Sequence, residues 1–471
     1  MNDSMIDWHR LQRAIEGEVV RPGAPGYDAA RRPAIARFRE TRPAAVVRCR
    51  TPRDVAETLG FARPAALPVA TRCGGHCFAG ESSTDGIVID VAPMGSVAVE
   101  RGIATIGAGA RLGAIYDALD AHGVTIPGGC GPRVGITGLV LGGGVGLLGR
   151  AHGLTSDSLL GAEVVLADGS VTDCDEHREP DLFWALRGAG AAGFGVVTRL
   201  RFATVPAPEA TRLQAVWPAD AATALVDAWQ RWAVDGPAAL AASVLVAAPA
   251  DVAAPPTVTV GGAFMGTEAQ AARLLADLAA AAGSEPASQV VAPGSYRQTK
   301  RDLAGTADDD PLEHDHVESR SEFFARPLPA ATIAGLVEHL AAERRPGEAR
   351  ELDFMPMGGA YARVPARATA FVHRDARTLL KHSVVTGLGA GAEQHETARR
   401  WLERSYAIVH PHGTGGAYQN FAEPGREDWA RAYYGDNLER LTAIRERYDP
   451  GDLLRSAQSV PVGERAVRPI G

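Results

Sequence analysis

Cysteine is scarce in this chain, with five residues in 471, at positions 49, 73, 77, 130 and 174. The count is odd and shows no paired C-x-x-C spacing, so neither a disulfide framework nor a zinc site is expected. Aromatic residues are also few, at 6%. No stretch approaches the roughly 20 apolar residues that span a bilayer, which excludes a membrane-spanning helix as an expectation. The start, MNDSMIDWHRLQRAIEGEVV, has no basic segment followed by an apolar run. No signal peptide is therefore read, and a cytoplasmic protein is expected. Basic residues are in deficit, 48 against 56 acidic, for a net charge of −8. Such a balance offers no electrostatic footprint for nucleic acid or for an anionic membrane. Internal repeats and low-complexity segments are absent as well. Glycine, in contrast, is plentiful at 53 residues. The length exceeds what one core usually serves, so two or more domains are expected.

Residues 43–106 read as alternating strands and one helix. Residues 44–48 form a strand pattern. Thr51-Pro52-Arg53-Asp54 then caps a helix to about Ala62, with proline at the first turn, where its missing N–H costs nothing. Residues 97–100 and 104–107 predict a hairpin about Arg101-Gly102, and residues 162–172 another about Asp168-Gly169. An amphipathic helix is predicted over 110–122, a short one over 181–187 and a strand over 194–202. After Pro206-Ala207-Pro208 the texture changes. Strands at 242–248, 257–264 and 369–373 alternate with Ala-rich helices at 220–233 and 268–282, the pattern of a sheet covered by helices on one face. Residues 308–316 form an acidic loop. Its Glu313-His314-Asp315-His316 is read as a solvated turn rather than a metal site. Residues 429–447 predict a closing helix.

Two glycine-rich stretches carry the functional signal. Arg72-Cys73-Gly74-Gly75-His76-Cys77 follows the strand-like run 66–70. Paired glycines let the backbone approach a bulky charged group and offer it N–H donors. A histidine directly after them sets a nucleophilic imidazole at that contact, which suits a phosphate-bearing cofactor held covalently. Further on, Gly144-Val145-Gly146-Leu147-Leu148-Gly149 matches G-x-G-x-x-G. A dinucleotide fold needs a strand before that motif, then a helix and a parallel strand after it. Here glycine and proline precede it and a loop with an antiparallel hairpin follows, so a Rossmann site is disfavoured. A glycine run whose backbone amides line a pyrophosphate fits better.

The ordered series of motifs resembles the FAD-binding oxidoreductases of the vanillyl-alcohol-oxidase type, and within them the berberine-bridge-enzyme-like branch. Residues 72–76 resemble the R-x-G-G-H flavin loop, whose histidine bonds to a methyl carbon of the flavin. Residues 134–138 and 141–144 resemble the second flavin loop, and 153–157, 181–188 and 194–198 continue the match in order. Residues 433–441, 448–450 and 458–461 resemble the branch's C-terminal signature. The similarity covers roughly residues 27–208 and 410–461.

The resemblance implies an α+β fold: a two-part PCMH-type FAD-binding domain, residues 1–208 and 428–471, around a substrate domain, 209–427, whose antiparallel sheet is covered by helices. The FAD would be covalent through His76, with Cys130 a candidate for a second bond. The cofactor-binding residues implied are Arg72, Cys73, Gly74, Gly75, His76, Cys77, Cys130, Val134, Gly135, Thr137, Gly138, Gly142, Gly143, Gly144, Asp157, Val197 and Asn437. The side chains of Cys73 and Cys77 are assigned to loop packing. The implied partners are a small-molecule substrate, with a secondary-metabolite alcohol or phenol ahead of an oligosaccharide, and O2 ahead of another electron acceptor. A monomer or homodimer is expected.

Two departures from the family pattern stand out. The cysteine of doubly attached relatives stands three residues before the V-G pair; Cys130 stands four before, separated from Val134 by Gly131-Pro132-Arg133. The second concerns the base. The segment Gly416-Ala417-Tyr418-Gln419-Asn420-Phe421 ends in phenylalanine, where many relatives carry the tyrosine that removes the substrate's proton. Tyr361, Tyr418 and Tyr434 remain as candidate bases, each needing a perturbed site such as Arg363 near Tyr361 could provide. On a strand, Tyr418 would face away from Phe421. An NAD-linked dehydrogenase and a flavoprotein with decayed catalysis stay open as alternatives.

Overall fold

Three main sheets organise the computed structural model, which describes residues 6–305 and 314–462. A four-stranded sheet runs in the order Glu18–Val20, Ala45–Arg48, Ile87–Asp90, Val69–Arg72, with the last three strands parallel. The crossover between its parallel strands is the helix Pro52–Ala62. Thr51 and Asp54 close a capping box at its start, in which Thr51 accepts from the Asp54 amide. A five-stranded antiparallel sheet follows: Val97–Glu100, Ile103–Gly107, Val196–Ala203, Leu159–Val165, Val171–Cys174. Its two hairpins turn at Arg101-Gly102 and Asp168-Gly169, as the sequence predicts; Gly102 and Gly169 both have positive φ. These two sheets share a core with the C-terminal helices Trp429–Tyr434 and Leu438–Tyr448, which contribute Tyr433, Leu441, Ile444 and Tyr448.

The third sheet has seven antiparallel strands, in the order Ser288–Ser295, Glu209–Pro218, Thr257–Phe264, Leu240–Ala248, Glu348–Pro356, Thr378–Thr386, His316–Phe324. Alternate residues of these strands, among them Trp217, Val244, Val260, Leu352, Phe354, Leu380 and Val384, pack under four helices. Those helices are Ala222–Asp235, Glu268–Ala282, Ala330–Ala341 and Ala392–Val409. The opposite set, including Phe323 and Leu379, packs with Leu154, Tyr361, Phe371 and Tyr418 toward the glycine-rich loops. Period-two alternation thus gives this sheet a helix-covered face and a loop-facing face.

Two expectations are corrected. Residues 369–373 are not a strand: Ala370 and Phe371 donate to the carbonyls of Trp184 and Arg187, pinning the segment as an irregular strap beside Gly188. The closing helix is interrupted at residues 435–437, where Gly435 has φ +47° and the chain makes a single 3₁₀ turn. Of the acidic loop, residues 306–313 lie outside the described residues. His316 bonds Glu318 at 3.0 Å and stacks on His395. Among the described residues no group of three His, Cys, Asp or Glu side chains is placed to hold a metal, and no helix is long and apolar enough to cross a membrane.

Candidate active site

The loop after strand Val69–Arg72 carries His76. Arg72 is buried, and its guanidinium donates to the carbonyls of Ala30 and Arg31, so the side chain anchors the loop. Gly75, at φ +74°, has the Ala34 amide 2.9 Å from where a Cβ would stand, and its carbonyl accepts from Ala34 and Ile35. Gly74 meets Gly135 of the second loop: a Cβ on Gly74 would lie 2.5 Å from the Gly135 nitrogen, and one on Gly135 would lie 2.2 Å from Cys73 Sγ. The two loops therefore touch backbone to backbone, which only glycine permits. His76 Nδ1 is 2.9 Å from the Gly74 carbonyl. Cys73 and Cys77 behave as packing thiols, pushed up by burial to about 12 and about 11. The Thr137 hydroxyl donates to the Ala108 carbonyl, and Val134 packs against the core.

Gly138 is different. It sits in the helix Ile136–Leu141, is exposed, and a Cβ on it would meet nothing within 4 Å. A glycine inside a helix costs about 0.5–1 kcal/mol relative to alanine, and no protein atom here requires one. The open space beside it, on the helix that begins where Gly135 meets the His76 loop, is the kind of cradle a large planar cofactor fills. The residues present fit FAD.

The run 142–149 is used otherwise than its composition predicts. Its glycines make room for protein side chains: Asn420 Oδ1 is 2.1 Å from a Cβ on Gly142, Phe371 2.9 Å from one on Gly143 and the Tyr361 hydroxyl 1.5 Å from one on Gly149. The amides of Gly143, Gly144 and Gly146 donate to Val140 O, Tyr418 Oη and Tyr361 Oη. These three are not left to line a pyrophosphate.

The segment after Gly416 closes the site. Tyr418 is followed by a 3₁₀ turn at Gln419–Phe421, not by a strand. The turn brings Tyr418 and Phe421 together, with ring centroids 5.1 Å apart, correcting the expectation that they face opposite ways. Asn420 donates to Tyr418 Oη and to the Leu139 carbonyl. Phe421 also meets Phe78, next in the loop to Cys77, at 5.5 Å, so its ring joins the His76 loop to the seven-stranded sheet.

Comparison with known proteins decides the family. The FAD binding domain model matches residues 43–175 and the berberine and berberine-like model residues 417–461. The FAD-linked oxidoreductase YgaK of Bacillus subtilis (strain 168) is 31% identical over 96% of this chain and 98% of its own. The (R)-6-hydroxynicotine oxidase of Paenarthrobacter nicotinovorans is 31% identical over 94% and 96%. A solved glucooligosaccharide oxidase from Acremonium strictum, whose FAD is 6-S-cysteinyl and 8α-N1-histidyl, superposes with a TM-score of 0.85 at 26% identity, over 98% of this chain and 99% of that one. The chain belongs to the berberine-bridge-enzyme-like FAD-linked oxidoreductases. It is an enzyme, and its cofactor is FAD.

Within this oxidoreductase, several implied site residues have structural jobs. Asp157 holds Arg374 through both oxygens and accepts from the Leu154 amide. Val197 is buried in the core of the five-stranded sheet. The Asn437 amide nitrogen donates to the carbonyls of Ala366, Thr369 and Ala370, fastening the strap. In all three the side chain is bonded to or packed against protein, and the part each takes in holding the cofactor is structural support.

Cys130 lines a cavity of 260 Å³ between the helices Leu112–Asp120 and Tyr296–Ala304, together with Tyr116, Pro132 and Lys300. Lys300 Nζ donates to the carbonyls of Gly128 and Gly129 at 2.7 Å and stands over the Tyr116 ring. Burial lowers this lysine to about 8.

Burial acts on all three candidate tyrosines. Burial pushes Tyr418 up to about 12 and raises Tyr361 and Tyr434 well above the ordinary phenol value. Tyr434 lies in the core among Trp429 and Tyr433. The cation whose charge reaches Tyr361 is Arg150; Arg363 instead donates to the Ala151 carbonyl, which corrects the role expected of it.

Two residues near the site escaped the sequence reading. Asp353 and Lys381 are paired across neighbouring strands on the loop-facing side of the seven-stranded sheet, and Lys381 Nζ is 5.2 Å from the Phe421 ring centroid. The alternation of residues 348–356 could have put Asp353 on the less apolar face, but the register that joins it to Lys381 is a long-range property.

Proposed function

We propose that this enzyme is an oxidase that takes hydride from a C–H bond of an alcohol, phenol or related secondary metabolite, with FAD attached through His76 and O2 as the final acceptor. The observation that carries the reading is the apposition of the His76 loop to the second loop at Gly74 and Gly135, beside the open space at Gly138. Bound FAD supplies the two-electron acceptor. The chain supplies the rest. Gly74 and Gly135 let the two loops meet, and the His76 loop and the second loop would hold the cofactor. Phe78, Phe421 and Tyr418 form an aromatic wall that keeps water from the reacting carbon. Asn420 and the Gly144 amide hold the Tyr418 hydroxyl as an acceptor, so that wall is fixed in place.

An oligosaccharide oxidase is the second reading, favoured by the glucooligosaccharide oxidase of Sarocladium strictum, 30% identical over 89% of this chain. Anaerobic mixing of the holoenzyme with phenols, secondary alcohols and oligosaccharides, followed by loss of flavin absorbance, separates the two. Bleaching by sugars alone sinks the first reading. Admitting air afterwards and assaying hydrogen peroxide tests the acceptor; no peroxide from a reoxidised flavin means a dehydrogenase.

A further inference from the structure

Lys381 lies in the strand Thr378–Thr386, whose Leu380 and Val384 face the covering helices and whose Leu379 faces the loop side. Alternation therefore sends Lys381 to the loop side. Its cross-strand neighbours are Ser321 and Asp353. The Ser321 hydroxyl is taken as the acceptor of the Tyr418 amide. The Lys381 ammonium rests over the Phe421 ring, which in turn touches Phe78 of the His76 loop. Among the described residues, no carboxylate stands within ion-pair distance of this ammonium and no carbonyl accepts from it. An aromatic face attracts a cation but accepts none of its N–H bonds in the manner of an oxygen. Three donors are thus held at the point where the sheet meets the flavin loop.

Asp353 completes the arrangement. It is half-buried, and the Lys381 charge partly offsets the desolvation that raises its carboxyl. The cluster presents one cation with unspent donors, backed by a carboxylate and floored by an aromatic ring.

We propose that Lys381 is the substrate-orienting cation of this enzyme, and that it selects substrates bearing an anionic or easily ionised oxygen (a phenol, an enol or a carboxylate) whose flat or apolar body rests against Phe421. This deepens the oxidoreductase reading above and rests on it. A neutral sugar hydroxyl gains less from such a cation than a phenolate does, because a charge-assisted hydrogen bond is roughly twice as strong as a neutral one.

The test titrates the holoenzyme with 4-nitrophenol and with its neutral methyl ether, 4-nitroanisole, by difference absorbance at a pH where free nitrophenol is un-ionised. Wild type should bind nitrophenol as the coloured phenolate, and about tenfold more tightly than the ether. Lys381→Met should lose both the colour and the preference, while Lys381→Arg should keep the preference to within about threefold. Flavin content reports whether each variant retains the site; if Lys381→Met loses its flavin, the wild-type pair of titrations decides alone. Equal binding of the two probes, binding of neither, or a preference that survives in a flavin-loaded Lys381→Met variant overturns the proposal. A flavin-loaded enzyme that some substrate bleaches but that shows no phenolate preference fails this inference alone. A protein without flavin fails the underlying reading.

Discussion

The Asp157 carboxylate accepts from both terminal nitrogens of Arg374 at 2.8 Å, and Arg374 is only 1% exposed. This buried pair joins the loop after the glycine run to the strap that holds Phe371 against Gly143. Removing one partner leaves the other charge unpaired out of water, at a cost of about 3–5 kcal/mol. Arg374→Met should therefore lower the unfolding midpoint sharply in a denaturant titration. The double variant Arg374→Met with Asp157→Asn should recover part of the loss, since no lone charge remains.

Two glycines should respond in opposite ways to the same substitution. A Cβ on Gly149 would stand 1.5 Å from the Tyr361 hydroxyl, so Gly149→Ala should cost roughly 1–3 kcal/mol of stability through overpacking. Adding Tyr361→Phe should return part of it. At Gly138 a Cβ meets nothing within 4 Å, so Gly138→Ala should leave the protein as stable or gain about 0.5–1 kcal/mol. Its penalty should appear as reduced flavin content, read from the ratio of visible to ultraviolet absorbance. Full flavin content in Gly138→Ala contradicts the placing of the cofactor.

Cys130 sits one residue farther from Val134 than in doubly attached relatives, and it lines the cavity beside Lys300. The account predicts a single bond to the flavin. Peptide mass spectrometry should find FAD on the peptide containing His76 and a free thiol at Cys130. A cross-linked pair of peptides holding both residues would show the second bond.

Burial raises the Asp353 carboxyl, and Lys381 only partly opposes it. The folded chain then holds this proton more tightly than the unfolded chain does. Stability from this group is greatest below the ordinary carboxylate range and is lost as pH rises through that range to the raised folded value. Asp353→Asn should accordingly raise the thermal midpoint at neutral pH and give no gain in acid. Melting curves across pH 4–8 check the sign; a uniform loss would contradict it.

Much of the fold was legible because it is local. The capping box at Thr51 and Asp54, the turn at Arg101-Gly102, the strand Thr257–Phe264 and the helix Glu268–Ala282 all depend on neighbours in sequence. Residues 369–373 misled because their β-like composition is overruled by amide bonds to Trp184 and Arg187. Tyr418 and Phe421 misled because a 3₁₀ turn, not a strand, separates them. The His76 loop was legible as a motif. The role of the glycines at 142–149 was not, since their occupants, Asn420, Phe371 and Tyr361, come from far along the chain. The Lys381 and Asp353 pair was hidden for the same reason, as strand register joins residues that composition cannot relate.

The central claim is that His76 carries the flavin. Purified wild-type protein and a His76→Ala variant are precipitated in acid and centrifuged. The account predicts yellow colour in the wild-type pellet and, for His76→Ala, any flavin released to the supernatant. Wild-type flavin found entirely in the supernatant would contradict it.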